Sequence, residues 1–242
     1  MSVVTPFVHA ALKAAEQIAD TLAKGWRTEY GEHGEIGAGG DRTAGVDRMA
    51  EEIFIDHLHP FGVVDSEESG RIGEGDATIV LDPIDGSENA LSGLPYFGSS
   101  IALQRRGRVE EAVVVNLANG ECFYKTGGQT MRGRLRKDDF RPLVARRGAT
   151  IGIFEKAYAD PELALALLRQ KRKFRSPGAV ALSLAYAHDV DFVIFAGPRR
   201  HYDFAAALWM CEDLCRIETE ELLIVAKEEE TLESLRKLAQ ER

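Results

Sequence analysis

The segment Asp82-Pro83-Ile84-Asp85-Gly86-Ser87 holds two carboxylates three residues apart, just after the apolar run Ile79-Val80-Leu81. Proline fixes its own φ and removes a donor, so a tight turn here lets both acids converge. The Ile84 carbonyl lies between them as a third oxygen. Glu67, from the upstream pair Glu67-Glu68, reaches the same point if strands over 62–65 and 78–82 run side by side. An all-oxygen cage of this kind suits a hard divalent cation, Mg²⁺ above all. The Gly86 and Ser87 amides suit a phosphate oxyanion if they open a helix. Metal beside phosphate is the setting for metal-assisted hydrolysis of a phosphate ester. The competing reading is that Asp82 and Asp85 only cap a helix; Glu67-Glu68 and the later Asp203 weigh toward the cage.

Three other motifs do not fit. A haloacid-dehalogenase phosphatase carries D-x-D-G-T, with acids two apart, whereas here Ile84 stands between acids spaced by three. An EF-hand loop needs oxygen side chains at its first, third and fifth places, and Ile84 and Gly86 break that register. The glycines at 37–40 lack the G-K-[ST] ending of a phosphate-binding loop and follow no predicted strand.

The chain has 242 residues, enough for one large or two small domains. Its 45% apolar and 29% charged content is that of a globular enzyme. A net charge of −9 argues against unassisted binding to nucleic acid or an anionic membrane. It also requires cations to screen any phosphate substrate. No apolar run reaches a membrane span of about 18 residues, the N-terminus lacks the order of a signal peptide, and three cysteines make no disulfide framework. The expected location is cytoplasmic.

The elements that must hold the acids follow from periodicity and punctuation. Thr5 and Pro6 open an amphipathic helix over 6–24, with Val8, Leu12, Ala15, Ile18, Ala19 and Leu22 on one stripe and Gly25 as its stop. Residues 31–45 are glycine-rich and read as a mobile loop. A helix is predicted over 46–58, short strands at 63–64 and 79–81, paired strands at 98–105 and 109–117 around Gly107, and a continuation at 121–126. The basic, turn-rich stretch Arg132 to Arg147 is the expected boundary, dividing an N-terminal half (1–140) from a C-terminal half (141–242). Beyond it, helices are predicted at 160–169, 178–188, 203–214 and 229–241, with strands at 192–195 and 222–226. The mixture suggests an α+β protein of stacked layers. Cys211 and Cys215, near His201, lack a fourth ligand for zinc and read as core residues.

Several segments resemble, in order, those of the inositol monophosphatase superfamily of Mg²⁺-dependent, lithium-sensitive phosphatases, above all its archaeal branch that acts on inositol monophosphate and fructose 1,6-bisphosphate. Residues 40–47 are similar to its loop ending in T-x-x-x-D, Ser66-Glu67-Glu68-Ser69 to G-E-E-S, and 82–87 to D-P-[IL]-D-G-[ST]. Arg175 to Ala179 stands where R-x-x-G-[ST] stands, and Tyr202 to Ala206 resembles [WY]-D-x-A-A. The resemblance implies a layered α/β/α/β/α sugar-phosphatase fold and a homodimer. It implies that Glu67, Asp82, the Ile84 carbonyl, Asp85 and Asp203 hold two or three Mg²⁺ ions. Asp47 and Ser87 would orient and deprotonate a water, with Glu67 also in the catalytic set. The Gly86 and Ser87 amides would hold the phosphate, and the loop 31–45 would close over the site. Gly178, Ala179, Arg199 and Arg200 would lie on the substrate side, the arginines within reach of a second phosphate.

The chain departs from the family at Ala44, Ala179, Ala196 and Glu212 to Cys215, where a basic residue, a small hydroxyl residue, a glutamate and E-A-G-G usually stand. These departures weaken an inositol-specific assignment more than a phosphatase one. A 3′-phosphoadenosine 5′-phosphate phosphatase is the alternative within the class. A non-catalytic metal-binding regulatory protein is the alternative outside it, opposed by the retained pair Asp47 and Ser87.

Overall fold

A computed structural model describes residues 4–241. Along the chain the elements run α1 (Pro6–Ala23), β1 (His33–Ile36), β2 (Arg42–Ala44), α2 (Gly45–Leu58), β3 (Val63–Ser66), β4 (Gly70–Ile72), β5 (Ala77–Asp85), α3 (Ser87–Leu91), β6 (Gly98–Arg105), β7 (Arg108–Asn116), β8 (Glu121–Lys125), β9 (Met131–Arg134) and β10 (Arg141–Pro142). They continue with β11 (Ile151–Glu155), α4 (Pro161–Arg169), β12 (Lys173–Arg175), α5 (Val180–Ala185), β13 (Phe192–Ala196), α6 (His201–Met210), β14 (Cys215–Glu218), β15 (Leu222–Ala226) and α7 (Glu229–Gln240). An eight-stranded sheet has the order β10-β9-β8-β7-β6-β5-β3-β4, and a five-stranded sheet the order β12-β11-β13-β15-β14.

Strand alternation stacks these sheets between helices. Ile79, Leu81, Ile101, Leu103, Val113 and Val115 face α1 and α2 in one core. The residues between them, Val80, Ala102, Ala112 and Val114, face α5 and α6 in a second core. That second core reaches Val193, Phe195, Leu223 and Val225 of the smaller sheet, whose far face packs on α4 and α7. Side-chain period two thus produces five layers, α/β/α/β/α, as the resemblance implied. No helix among the described residues is long and apolar enough to cross a membrane.

Local signals set many of the boundaries. Thr5 accepts the Val8 amide at 3.1 Å and caps α1. Asp160 does the same for Leu163 at 3.1 Å ahead of α4. Four expectations are corrected. Residues 31–45 are not a featureless loop, because β1 and β2 pair as an antiparallel ribbon; β1 is largely exposed and β2, though Thr43 and Ala44 are buried, is only three residues long, so no apolar alternation marks them. The acid pair does not sit in a turn after a strand. It lies inside β5, whose register with β6 is interrupted between Asp82 and Asp85, and a bulge is one of the places where a strand tolerates proline. Helix α5 is shorter than predicted and α6 begins earlier, at His201. The stretch 132–147 contributes β9 and β10 to the larger sheet, and β11, β12 and β14 were not expected.

Candidate metal centre

Parity on β5 aims the first acid. Val80 faces α5 and α6, so Asp82, two residues on, faces the same way. Strand β3 runs parallel to β5 with Ser66 opposite Leu81, and the Glu67 amide donates to the Leu81 carbonyl at 2.9 Å. That register sets Glu67 beside Asp82. Asp203 stands in the first turn of α6, where a carboxylate suits the helix dipole. One carboxylate oxygen from each of Glu67, Asp82 and Asp203 lies within 4.8 Å of the others, the one such group of acidic, histidine or cysteine ligands among the described residues.

These acids are buried against their electrostatic interest. Burial, then the charge of Glu67, Asp85 and Asp203, pushes Asp82 well above the carboxylate range. Burial and the neighbouring Asp203 push Glu67 up to about 7, although Arg200 opposes them. Asp203 is raised by burial, with Arg200 pulling the other way. Buried like charges with too few positive partners destabilise one another. A hard divalent cation, which carboxylate oxygens suit, would relieve that strain, so the residues present fit such an ion.

The other expected residues are placed less uniformly. Asp85 is buried beside the cluster, and its charge couples to that of Asp203. Its carboxylate nonetheless turns to α5, with Oδ1 accepting the Val180 amide at 2.8 Å and Oδ2 the Leu182 amide at 2.9 Å. Ile84 sends its side chain into the α1/α2 core, which leaves its backbone as its polar contribution. Asp47 accepts the Ala44 amide at 3.1 Å in the first turn of α2. Burial, then Glu68 and Glu67, pushes it up to about 8. Ser87, half-buried at the start of α3, makes no hydrogen bond to Asp47. Gly86 has φ +83°, and a Cβ there would come within 3.0 Å of Ala179 Cβ and of the Gly178 carbonyl oxygen. Glycine is therefore required where the signature strand meets the 177–180 turn.

The substrate-side residues are partly committed elsewhere. The Gly178 and Ala179 amides donate to Glu155 at 2.9 and 3.3 Å, and Ala179 is buried. Arg199 pairs with Glu218 of β14 at 3.0 Å. Arg200 turns into the acids and reaches Glu67 at 2.6 Å, Asp41 at 2.7 Å and Asp203 at 3.3 Å. The ribbon tip carrying Asp41 is docked on the same spot. Gly39 donates to the Glu67 carbonyl at 2.7 Å and Ala38 to the Glu68 carbonyl at 3.0 Å, while Thr43 hydrogen-bonds Glu68. A Cβ on Gly39 would lie 2.4 Å from Glu67 Cγ, so only glycine lets the ribbon come this close.

Glu155 was not anticipated. It ends β11, is buried, and also accepts from the Ser183 hydroxyl. The available signal was an acid closing the apolar run Ile151-Gly152-Ile153-Phe154.

The wider likeness of the chain agrees with this geometry. The profile of the Inositol monophosphatase family matches residues 2–214. The Escherichia coli K12 protein named Nus factor SuhB is 34% identical over 214 residues, spanning 83% of this chain and 80% of its own. The extragenic suppressor protein suhB from Bartonella henselae superposes with a TM-score of 0.75 at 25% identity, over 96% of each chain. An inositol monophosphatase-fructose 1,6 bisphosphatase, the MJ0109 gene product, shares the fold with a TM-score of 0.76 at 20% identity, over 95% of this chain and 98% of its own. Likeness of this extent supports a metal-dependent phosphatase. Because it spans most of the chain and includes the segments that carry the acids, the chain belongs to the inositol monophosphatase family.

Proposed function

We propose that this protein is a Mg²⁺-dependent phosphomonoesterase that hydrolyses a small sugar or inositol phosphate, with fructose 1,6-bisphosphate and inositol 1-phosphate as the first substrates to test. The observation that carries the reading is the convergence of Glu67, Asp82 and Asp203 to within 4.8 Å. Together with Asp85 and the Ile84 carbonyl, they are the residues that would hold two or three ions. When bound, such ions polarise phosphate oxygens and make a water acidic enough to attack at neutral pH. Asp47, buried in the first turn of α2, would take a proton from water, and the Ser87 hydroxyl would relay it. The Gly86 and Ser87 amides would hold the phosphate in line for attack. Arg200 would meet a further anionic group. We place the protein in the cytoplasm, as a homodimer.

Phosphate release tests this directly, measured on a panel of esters with Mg²⁺, with chelator and with Li⁺. Turnover of a sugar or inositol phosphate that chelator abolishes and Li⁺ inhibits is the expected result. Release of AMP from 3′-phosphoadenosine 5′-phosphate alone would move the assignment to that substrate. A non-catalytic reading draws support from relatives named Nus factor. Metal binding without phosphate release from any ester would favour it.

A further inference from the structure

Arg200 occupies the point where a cation would sit. Its Nη1 lies 2.6 Å from Glu67 Oε1 and 2.7 Å from Asp41 Oδ2. Its Nε lies 3.3 Å from Asp203 Oδ2 and its Nη2 3.5 Å from Asp203 Oδ1. Two of the three acids that converge within 4.8 Å are therefore bound to one guanidinium.

A guanidinium has only donors and keeps its charge at any physiological pH. It can neither ligate a metal ion nor become neutral to admit one. A divalent cation taking oxygens of Glu67 and Asp203 would meet a like charge hydrogen-bonded to the same carboxylates. The side chain must therefore move. Its third partner marks the direction: Asp41 is exposed, with 85% of its side chain accessible, and lies at the tip of the ribbon that covers the site.

We propose that Arg200 is an internal counter-cation that a divalent ion displaces from Glu67 and Asp203, and that the released guanidinium then receives the anionic group of the substrate. Binding is thereby ordered, cation before ester. The second half rests on the phosphate-ester reading above; the first does not.

The test uses the full chain with ¹⁵N-labelled arginine. The Arg200 Nε–H resonance, assigned by its loss in Arg200→Lys or by sequential assignment, is followed as Mg²⁺ is added to chelator-treated protein. Calorimetry measures ion binding in parallel. Displacement predicts that the resonance shifts and exchanges faster with water, with the calorimetric midpoint. A resonance unchanged while calorimetry shows saturation overturns the proposal. Arg200→Gln should bind Mg²⁺ about tenfold more tightly, since a competitor is gone; equal or weaker binding also overturns it. Inorganic phosphate probes the second half. With Mg²⁺ present, Arg200→Gln should bind phosphate about tenfold more weakly than the parent, and without Mg²⁺ the two should be alike. Equal affinity with Mg²⁺ removes the anion role. Failure of every phosphate ester to turn over, with the resonance still displaced, would instead reject the phosphatase reading and leave the exchange intact.

Discussion

Asp85 Oδ1 accepts the Val180 amide at 2.8 Å, tying the signature strand to α5 across 95 residues of sequence. The second oxygen takes the Leu182 amide, and Glu155 takes those of Gly178 and Ala179. Two buried acids thus satisfy the amides that open this short helix, which would otherwise be buried without partners. Asp85 consequently has a structural duty as well as the metal role proposed for it.

Asp85→Ala should therefore lose more than activity. Each unmade buried bond costs about 1–3 kcal/mol. A chain of this size loses about 2–4 °C of Tm per kcal/mol. Thermal unfolding in chelator, where no ion contributes, isolates the structural part. A Tm equal to that of the parent would show that the amides find other partners.

Glu155→Ala should destabilise the protein by roughly 3 kcal/mol, because two amides and the Ser183 hydroxyl lose their acceptor. Glu155→Gln keeps one acceptor oxygen and should lose about half as much. Denaturant unfolding measures both, and equal values for the two variants would contradict a hydrogen-bonding role.

The acid cluster gives the metal-free protein an unusual pH dependence. Asp47 rises to about 8 and Glu67 to about 7 in the folded chain, against unfolded values near 4. The folded state then binds more protons than the unfolded state between those limits, so these groups favour folding at low pH and lose that contribution as pH rises. Tm in chelator should be lower at pH 8.5 than at pH 5.5, and Mg²⁺ should restore it at the higher pH. Asp47→Asn should reduce the slope. Constant or rising Tm across this range would remove the reading of an uncompensated cluster.

Ser87→Ala should lower kcat by about 10²-fold, the usual scale of assisted proton transfer, with a small change in KM. Steady-state phosphate release separates the two constants. A raised KM with unchanged kcat would turn Ser87 from a proton relay into a binding residue.

Much of the chemistry was legible in residue order. The segments around Glu67, Asp82, Asp85 and Asp203 pointed to an oxygen-rich cluster, and the structure brings Glu67, Asp82 and Asp203 together. Helix α1 was readable from Thr5, Pro6 and an apolar stripe, and the hairpin of β6 and β7 from two strand-like runs around Gly107. The ribbon β1–β2 was not, since β1 is largely exposed and β2, which buries Thr43 and Ala44, is too short to leave a periodic mark.

What the sequence by itself determined is the inventory of acids and the layered class of the fold. Tertiary structure alone decided which acids meet and what each does there. Strand parity and parallel register bring Glu67 to Asp82, and helix α6 adds Asp203 from the far end of the chain. The same packing turns Asp85 toward α5, commits Arg199 to Glu218, and inserts Arg200 among the acids. These outcomes depend on the direction of each side chain across folded layers, which no local pattern of residues encodes.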